Sequence, residues 1–423
     1  MRFLPFLLLF VVADGYAQSY TSYRTGADTS IVTDPMGGTC LMGGATEDDN
    51  AMRWFLQRAD GGDVLVLRAS GSDGYNDYFY DELGVALHSV ETLVLHAAAA
   101  TQEAYVRQRI AEAEAVWLAG GNQATYVDEW RGPNGLDSLL NAAVNVRGAV
   151  IGGTSAGMAI LGQGYFAATN GTVTSTEAIA APFAPAVSVD TTAFLRLPYL
   201  ERIITDTHFD NPDRRGRHLV FLARLYDENL PYRGIACEEY TAVCIDATGR
   251  ARVFGDHPTY DDFAYFIRPN CTIPEGAPET LTPNAPLQWD HDGRAVHTYR
   301  IPGTAAGTHT FDLPTWTGTG GTDLFWSVNG AEFHSQAGEA ITCTTTATSA
   351  PSVIDLQVFP NPTNGSFILQ GEIPPDACTL YTATGKSLQH WSASPRQLDL
   401  SNLPDGWYVL RWASGAVVRV VIR

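Results

Sequence analysis

Gly153-Thr154-Ser155-Ala156-Gly157 is a G-x-S-x-G pentapeptide that follows an apolar run at residues 148–151 and precedes a helix-forming run at residues 158–161. This order predicts a buried strand that enters a sharp turn and leaves it as a helix, with Ser155 at the tip. Glycines keep Cβ atoms out of the crowded turn. The pattern is typical of a nucleophile elbow, although a chain with 40 glycines can also contain it by accident.

Short apolar runs alternate with amphipathic segments on both sides of this pentapeptide. This alternation predicts an α/β fold, in which helices cover both faces of a parallel sheet. Ligands of such sheets bind at the carboxyl ends of the strands, which is where the elbow is expected. The candidate strands lie at residues 64–67, 92–95, 115–118 and 149–151, and the candidate helices at residues 49–58, 102–113 and 137–145.

The composition and the hydrophobic pattern of the chain change after Cys271. Thr, Gly, Pro and Trp become frequent there, and helical periodicity disappears. We therefore expect an α/β domain at residues 38–271, an all-β extension at residues 272–350 and a compact β-sandwich at residues 353–423. A Thr/Ser-rich joint at residues 342–352 separates the last two units.

The amino terminus predicts a secretory signal peptide at residues 1–17. A basic start at Arg2 precedes an apolar core, and small residues precede a cleavage site after Ala17. The apolar run is well short of the roughly 20 residues that a membrane-spanning helix needs. The sequence therefore predicts an exported protein, in which disulfides can form; Cys237 with Cys244 and Cys271 with Cys343 are the candidate pairs.

Charge and composition exclude several classes of function. The formal net charge of −20 argues against nucleic acid and anionic membranes as partners. Lys386 is the only lysine, so the α/β domain cannot use a Schiff base, a P-loop or a Ser-Lys dyad. The six cysteines are scattered without the spacing of a zinc site. We expect neither a metal nor an organic cofactor.

A serine nucleophile needs a base, and His208 is the strongest candidate among ten histidines. It lies in the stretch at residues 203–209, where an apolar strand ends in polar residues, and it precedes the arginine-rich residues 214–217. A metal site made of Asp206, His208 and Asp210 is the alternative, but it lacks a second histidine.

Two carboxylates are candidates for the acid that orients His208. Glu177 follows the elbow helix, and Glu239 lies where an apolar strand at residues 234–237 breaks into charge. The residues leave this choice open.

Two backbone amides are candidates to stabilise the oxyanion. The helix start supplies the Ala156 amide, and the turn after the strand at residues 115–118 supplies the Gly121 amide. Gly-Gly-Asn is also an ordinary turn sequence.

The order of four motifs resembles the cyanophycinase and dipeptidase E family of serine peptidases. The motifs are Gly43-Gly44-Ala45, Gly120-Gly121-Asn122-Gln123, Gly152-Gly153-Thr154-Ser155-Ala156-Gly157, and Asp206-Thr207-His208-Phe209 with Arg214, Arg215, Gly216 and Arg217. The resemblance covers about residues 38–270. It implies a flavodoxin-like fold related to class I glutamine amidotransferases, and it suggests a homodimer.

The resemblance also implies roles for single residues. Ser155 would be the nucleophile, His208 the base and Glu239 the third member, whereas the dipeptidase E branch places its acid at the position of Glu177. Gln123, Asp206, Arg214 and Arg217 would bind the substrate.

The substrate that the resemblance implies is cyanophycin, a poly-aspartate that carries arginine on each side chain and is cut to β-Asp-Arg dipeptides. Arginine forks suit its carboxylates. This sequence departs from the family at Pro212, where the family has an arginine, and at Thr207, where it has a glutamine; both departures concern specificity.

Three other functions remain as alternatives. An α-aspartyl dipeptidase would use the same nucleophile, and an α/β-hydrolase esterase shares the G-x-S-x-G motif but has the order Ser, acid, His. A non-catalytic exported protein would bind carbohydrate or peptide on the Trp-rich β region with Trp289, Trp316 and Trp326.

The last 70 or so residues resemble the C-terminal sorting domain of the type IX secretion system. The resemblance rests on Phe359-Pro360-Asn361-Pro362-Thr363, Thr384-Gly385-Lys386 and Leu403-Pro404-Asp405-Gly406-Trp407-Tyr408. It implies the type IX machinery as a partner, export through the periplasm and outer membrane of a Bacteroidetes-type cell, and removal of the domain. The mature protein would then be secreted or lie at the cell surface.

Overall fold

The computed structural model describes residues 18–422. Within that range it leaves out residues 133–134, 227–230, 344–356, 362, 371–372, 383–385, 405 and 413–416. The predicted signal peptide lies outside the described residues, as do most of the joint at residues 342–352 and Pro362, Thr384, Gly385 and Asp405 of the sorting motif. In the described part of the chain, every helix is too short or too polar to cross a membrane.

The helices are α1 (Asp49–Gln57), α2 (Gly74–Asp77), α3 (Ala104–Glu112), α4 (Gln123–Trp130), α5 (Asp137–Asn145), α6 (Ala156–Ala159), α7 (Ser175–Ala180) and α8 (Arg215–Arg224). A π-helical turn (Tyr78–Glu82) and a 3₁₀ turn (Ala98–Gln102) accompany them.

The strands before residue 270 are β1 (Tyr20–Gly26), β2 (Thr39–Met42), β3 (Asp63–Arg68), β4 (Ser89–Leu95), β5 (Ala115–Leu118), β6 (Val150–Thr154), β7 (Tyr165–Phe166), β8 (Val189–Asp190), β9 (Ile203–Asp206), β10 (Arg233–Cys237), β11 (Ala242–Ile245), β12 (Arg250–Phe254) and β13 (Phe263–Pro269). The later strands are β14 (Val296–Pro302), β15 (Thr310–Asp312), β16 (Thr317–Thr319), β17 (Thr322–Asn329), β18 (Glu332–Ala337), β19 (Gln357–Phe359), β20 (Ser366–Gln370), β21 (Cys378–Thr382), β22 (Ser387–Trp391), β23 (Gln397–Asp399), β24 (Gly406–Trp412) and β25 (Val417–Ile422).

A ten-stranded sheet forms the centre of the molecule, in the order β1-β4-β3-β5-β6-β2-β11-β12-β15-β16. Its five strands from β4 to β2 run parallel, and the remaining neighbours pair antiparallel. The predicted α/β class and the four predicted strands are confirmed. Sequence patterns missed β2, a strand of only four residues that lies next to β6.

Helices cover both faces of the parallel strands. Because side chains alternate along each strand, every strand contributes to the core on each face. Leu65 and Leu67 of β3 face a core that includes α3, α4 and α5. Val64 and Val66 of the same strand face a second core with α1 and the π-helical turn. All four side chains are almost completely buried, so β3 reads as a continuous apolar run, as expected for a parallel strand in the centre of a sheet.

A second sheet has the order β18-β17-β14-β13-β10-β9, in which only β9 and β10 pair parallel. Strands from residues 296–337 therefore complete both large sheets, since β15 and β16 extend the first sheet and β14, β17 and β18 extend the second. The described residues from 272 to 343 are β-rich, as expected. The domain boundary after residue 271 stays a prediction, and hydrogen-bonded strands cross it.

The tryptophans of this β-rich region do not form a binding surface. Trp289 and Trp326 are fully buried and Trp316 is 5% exposed. Trp289 and Trp326 belong to the core beneath α8, and Trp316 packs at the edge of the first core. The expectation that they present a carbohydrate- or peptide-binding surface is therefore wrong, because their large apolar area is used for packing.

One of the two candidate disulfides is present. Cys271 and Cys343 are bonded, which confirms that pair. Cys237 and Cys244 are free, so the other pair is wrong. They lie in different sheets: Cys237 ends β10, whereas Cys244 of β11 faces Cys40 of β2.

The C-terminal residues form the predicted β-sandwich. A three-stranded sheet, β19-β20-β23, and a four-stranded sheet, β22-β21-β24-β25, share one apolar core. Phe367 and Leu398 contribute to this core from the first sheet, and Leu380 and Trp412 contribute from the second.

Candidate active site

Ser155 lies at the tip of a strained turn between β6 and α6. Its backbone has φ 53° and ψ −118°, a region that costs a non-glycine residue about 1–3 kcal/mol. The flanking glycines are sterically required. A Cβ atom on Gly157 would lie 2.0 Å from the Leu118 carbonyl oxygen, and one on Gly153 would lie 2.7 Å from the Gly157 carbonyl carbon. The strand-turn-helix context predicted for the pentapeptide is present.

His208 follows β9, in the second sheet, and reaches across to Ser155. Its Nε2 atom lies 2.8 Å from Ser155 Oγ. The histidine has φ 45°, and its amide donates a 2.8 Å hydrogen bond to the Gly43 carbonyl oxygen. Gly44 packs directly on the imidazole, because a Cβ atom there would lie 2.4 Å from both Nε2 and Cε1. The glycine pair at residues 43–44 therefore sets the position of the ring.

Glu239 follows β10, the parallel neighbour of β9 in the same sheet. Its Oε1 atom lies 2.6 Å from His208 Nδ1, and its Oε2 atom accepts a 3.3 Å hydrogen bond from Asn211. The Glu239 amide donates to Asp210. Partial burial acts to raise the pKa of Glu239, but the hydrogen bonds from His208 and Asn211 outweigh it and lower that pKa. The carboxylate therefore stays ionised and can hold Nδ1 protonated.

Glu177, the alternative acid, does not contact His208. It is the third residue of α7 and forms a capping box with Thr174, whose amide and hydroxyl both donate to Oε2. These hydrogen bonds lower the pKa of Glu177. The side chain is a helix cap at the surface.

Two backbone amides beside Ser155 have no acceptor among the described residues. Ala156 is the first residue of α6, and Gly121 follows Gly120, which packs against the Ser155 side chain. The Tyr126 hydroxyl donates to the carbonyl oxygens of Ala119 and Gly120, at 2.9 Å and 3.2 Å. Because the C=O and N–H groups of a peptide point in opposite directions, this contact turns the Gly121 amide away from Tyr126.

Arg214 and Gln123, two of the predicted substrate-binding residues, are partly exposed. Arg214 donates from Nη1 to the Thr207 carbonyl oxygen at 2.8 Å, which places it next to the turn that carries His208. Burial of Arg214 and the charge of Arg217 lower the pKa of Arg214. Gln123 begins α4 and donates to the Phe166 carbonyl oxygen at 3.5 Å.

Asp206 and Arg217 bind each other instead of facing a cleft. Arg217 donates from Nη2 to Asp206 Oδ1 at 2.5 Å and from Nε to Oδ2 at 3.2 Å, and both side chains are 3% exposed. Although burial acts to raise the pKa of Asp206, Arg217 and His218 lower it well below its usual range. This buried pair argues against direct contact with a substrate. It holds the end of β9, two residues before His208.

Several residues at this site escaped the sequence analysis. Gly44 was noted only as part of the Gly43-Gly44-Ala45 motif, and no pattern singled out Tyr126. Nothing marked the side chains that line the cavity in front of Ser155. They come from chain segments far apart: Glu47, Arg68 and Tyr75.

The hydrogen-bonded series of Ser155, His208 and Glu239 is the arrangement that nucleophilic catalysis by serine requires. A base accepts the hydroxyl proton, and an ionised acid fixes the tautomer of the base. Within the described ranges, no group of three or more His, Cys, Asp or Glu residues is placed to hold a metal ion.

Comparisons with known proteins match two parts of the chain. Residues 41–246 match the model of peptidase family S51, and residues 357–422 match the model of a secretion system C-terminal sorting domain. The sorting domain marks the protein for export by the type IX system to the cell surface or beyond.

Cyanophycinases from Synechococcus elongatus and Thermosynechococcus vestitus are each 27% identical to the chain over 212 residues. Each match covers 48% of this chain and 59% of the relative, so the chain spans less than two thirds of these proteins. Among solved structures, a peptidase from an acI-B1 Actinobacterium is 14% identical, with a TM-score of 0.38, over 53% of this chain and 89% of that one. Residues 41–246 are thus similar to peptidase family S51, and residues 357–422 are similar to a secretion system C-terminal sorting domain.

Proposed function

We propose that the protein is an exported serine peptidase that hydrolyses aspartyl-linked peptides through Ser155, His208 and Glu239. The observation that carries this proposal is the pair of hydrogen bonds at His208, 2.8 Å to Ser155 Oγ and 2.6 Å to Glu239 Oε1. A histidine bridged in this way accepts a proton at one nitrogen while the other stays protonated.

The mechanism follows from this geometry. Ser155 Oγ attacks the carbonyl carbon of the scissile amide while His208 Nε2 accepts the hydroxyl proton. The amides of Ala156 and Gly121, which have no acceptor within the described structure, would stabilise the oxyanion. His208 then protonates the leaving amine, and a water molecule hydrolyses the acyl-enzyme with the same base.

Cyanophycin and its β-aspartyl fragments are the first substrates to consider. The similarity to proteins named cyanophycinase supports this, as does Arg214 beside the turn that carries His208. An α-aspartyl dipeptidase activity is the second candidate, because the departures at Thr207 and Pro212 concern specificity. The position of Glu239 on His208 favours the order Ser, His, acid over that of an α/β-hydrolase esterase.

The decisive test compares the chain, a Ser155→Ala variant and a Ser335→Ala variant on insoluble cyanophycin, α- and β-linked aspartyl dipeptides and a simple ester, with products read by mass spectrometry. Ser335 is an exposed serine of β18 and controls for the substitution itself. We expect aspartyl products from the native chain and from Ser335→Ala, and none from Ser155→Ala.

Release from α-linked dipeptides alone would assign a dipeptidase, and cleavage of the ester alone would assign an esterase. Failure of a fluorophosphonate probe to label Ser155 in folded protein, together with no cleavage of any compound, would leave a binding protein.

A further inference from the structure

The cavity in front of Ser155 contains two side chains of opposite charge that the mechanism does not use. The cavity has a volume of about 360 Å³. Arg68 ends β3, whose neighbour β5 leads to Gly120, so this arginine lies at the same edge of the sheet as the elbow. Glu47 follows β2, on the other side of β6. The lining residues that matter here are Glu47, Arg68, Tyr75, Gly120, Ser155 and His208.

Arg68 is held in place by backbone carbonyls and not by a carboxylate. Its Nε atom donates to the Ser70 carbonyl oxygen at 2.5 Å, and Nη1 donates to the Ser72 carbonyl oxygen at 2.8 Å. The loop wraps around the guanidinium so closely that a Cβ atom on Gly71, with φ 99°, would lie 2.3 Å from Nη2. Within the described structure this cation has no ion-pair partner, although the chain has 46 acidic and 26 basic residues.

Glu47 is the matching anion. Its Oε1 atom accepts a 2.5 Å hydrogen bond from the Tyr75 hydroxyl, and among the described residues it too has no ion-pair partner. Burial, and then the charge of Glu47, raise the pKa of Tyr75 well above its usual value, whereas Arg68 acts to lower it. Tyr75 is therefore a neutral donor that lies within electrostatic reach of both charges. Arg68 and Glu47 have separate hydrogen-bond partners, and among the described residues they form no ion pair with each other.

We propose that these two side chains determine the substrate class, with Arg68 binding a carboxylate of the peptide and Glu47 binding its ammonium or guanidinium group. This inference rests on the proposed function, because it assigns substrate-binding roles to the two charged side chains in front of the same proposed nucleophile, Ser155. A guanidinium whose Nη2 atom makes no hydrogen bond within the described structure can bind a carboxylate, and an oriented carboxylate can bind a cation. A zwitterionic peptide satisfies both groups, whereas a peptide that lacks either charge leaves one of them desolvated and unpaired.

The test uses an aspartyl dipeptide and analogues that each lack one charge: either carboxylate converted to an amide, or the amine acetylated. For the native chain, we expect removal of the carboxylate that faces Arg68 to lower kcat/KM about 10- to 100-fold, and acetylation to have a similar effect. In Arg68→Gln, the carboxylate discrimination should disappear, and in Glu47→Gln the discrimination between free and acetylated amine should disappear. Arg68→Lys keeps a positive charge and should therefore retain part of the discrimination between peptides with and without the carboxylate. Arg53→Gln and Glu82→Gln are the matched controls.

Equal discrimination in the native chain and in Arg68→Gln would overturn the assignment of Arg68, and the corresponding result for Glu47→Gln would overturn that of Glu47. Calorimetric binding of the same peptides to Ser155→Ala separates this inference from the proposed hydrolysis. Charge-selective binding without any cleavage by the native chain would contradict the proposed function and keep the inference. Cleavage or binding that ignores charge would overturn the inference alone. The same holds if Ser155→Ala binds none of the peptides while Ser155 of the native chain still reacts with a fluorophosphonate.

Discussion

His208 Nε2 lies 2.8 Å from Ser155 Oγ, although the two residues are 53 positions apart in sequence and follow strands of different sheets. Ser155 follows β6 of the first sheet, and His208 follows β9 of the second. The site is therefore a junction between two sheets, and its geometry depends on how their strand ends meet. We therefore expect substitutions of Ser155 and His208 at that junction to reduce activity without unfolding the protein.

Removal of the nucleophile or of the base should abolish hydrolysis while the fold persists. We expect Ser155→Ala and His208→Gln each to lower kcat by at least about 10³-fold, because each removes a member of one concerted unit. The double variant should be no worse than the single ones. Steady-state kinetics and circular dichroism check this, and a double variant that loses the product of the two single effects would contradict a shared step.

The choice between the two carboxylates can be tested with one matched pair of substitutions. Glu239→Gln should lower kcat about 10²- to 10⁴-fold, since an amide in place of the carboxylate can no longer stabilise the charged imidazole. Glu177→Gln should leave kcat unchanged, because Glu177 caps α7 at the surface. Kinetics on purified variants decide the matter, and the reverse outcome would make Glu177 the acid.

Gly44 should matter for activity more than for folding. Its φ of 121° and its contact with the His208 ring exclude any side chain there. We expect Gly44→Ala to displace the imidazole and to lower kcat about 10²-fold or more. Gly74→Ala is the control, because a Cβ atom at Gly74 meets open space. If kcat of Gly44→Ala equals that of the control, the proposed steric role is wrong.

The stability of the protein should depend on pH through Glu238, which is 8% exposed and neighbours Glu239. Burial raises its pKa to about 7, against an ordinary 4.5, although the Tyr265 hydroxyl donates to it. The folded state thus binds this proton more tightly than the unfolded state. The resulting contribution to stability is complete below about pH 4.5 and is lost as pH rises through 7.

That difference in pKa corresponds to about 3 kcal/mol of unfolding free energy, so Glu238→Gln should lose this part of the pH dependence. Denaturant unfolding between pH 4.5 and 8 measures it, with the exposed Glu332→Gln as control. Identical slopes in the native chain and Glu238→Gln would refute the assignment.

The buried pair of Asp206 and Arg217 should contribute to folding. Arg217→Met leaves the Asp206 carboxylate without its partner inside the protein, which should cost about 3–5 kcal/mol. Arg215→Met removes an ion pair with Asp213 that is partly exposed, and should cost at most about 1 kcal/mol. Thermal unfolding of the two variants checks this. Equal melting temperatures would show that the buried pair adds nothing.

Local sequence patterns were sufficient for the elements around Ser155. The apolar run, the glycines and the helix-forming run predict the strand, turn and helix because each depends on neighbouring residues. The strand that ends before His208 was recognisable for the same reason. The predicted strand at residues 115–118 and the predicted helix at residues 137–145 coincide with β5 and α5.

The acid, the buried ion pair and the charged cavity depend on contacts between distant segments, and no local pattern encodes them. Glu239 and Glu177 are equally plausible by position; only the parallel pairing of β9 with β10 brings Glu239 to His208. Asp206 and Arg217 look like substrate ligands until their burial is known. The G-x-S-x-G stretch thus determined where the proposed nucleophile Ser155 lies and how its backbone turns, because steric limits act between neighbours. Tertiary packing decided which base, acid and charges meet it, because only the folded sheets bring those side chains together.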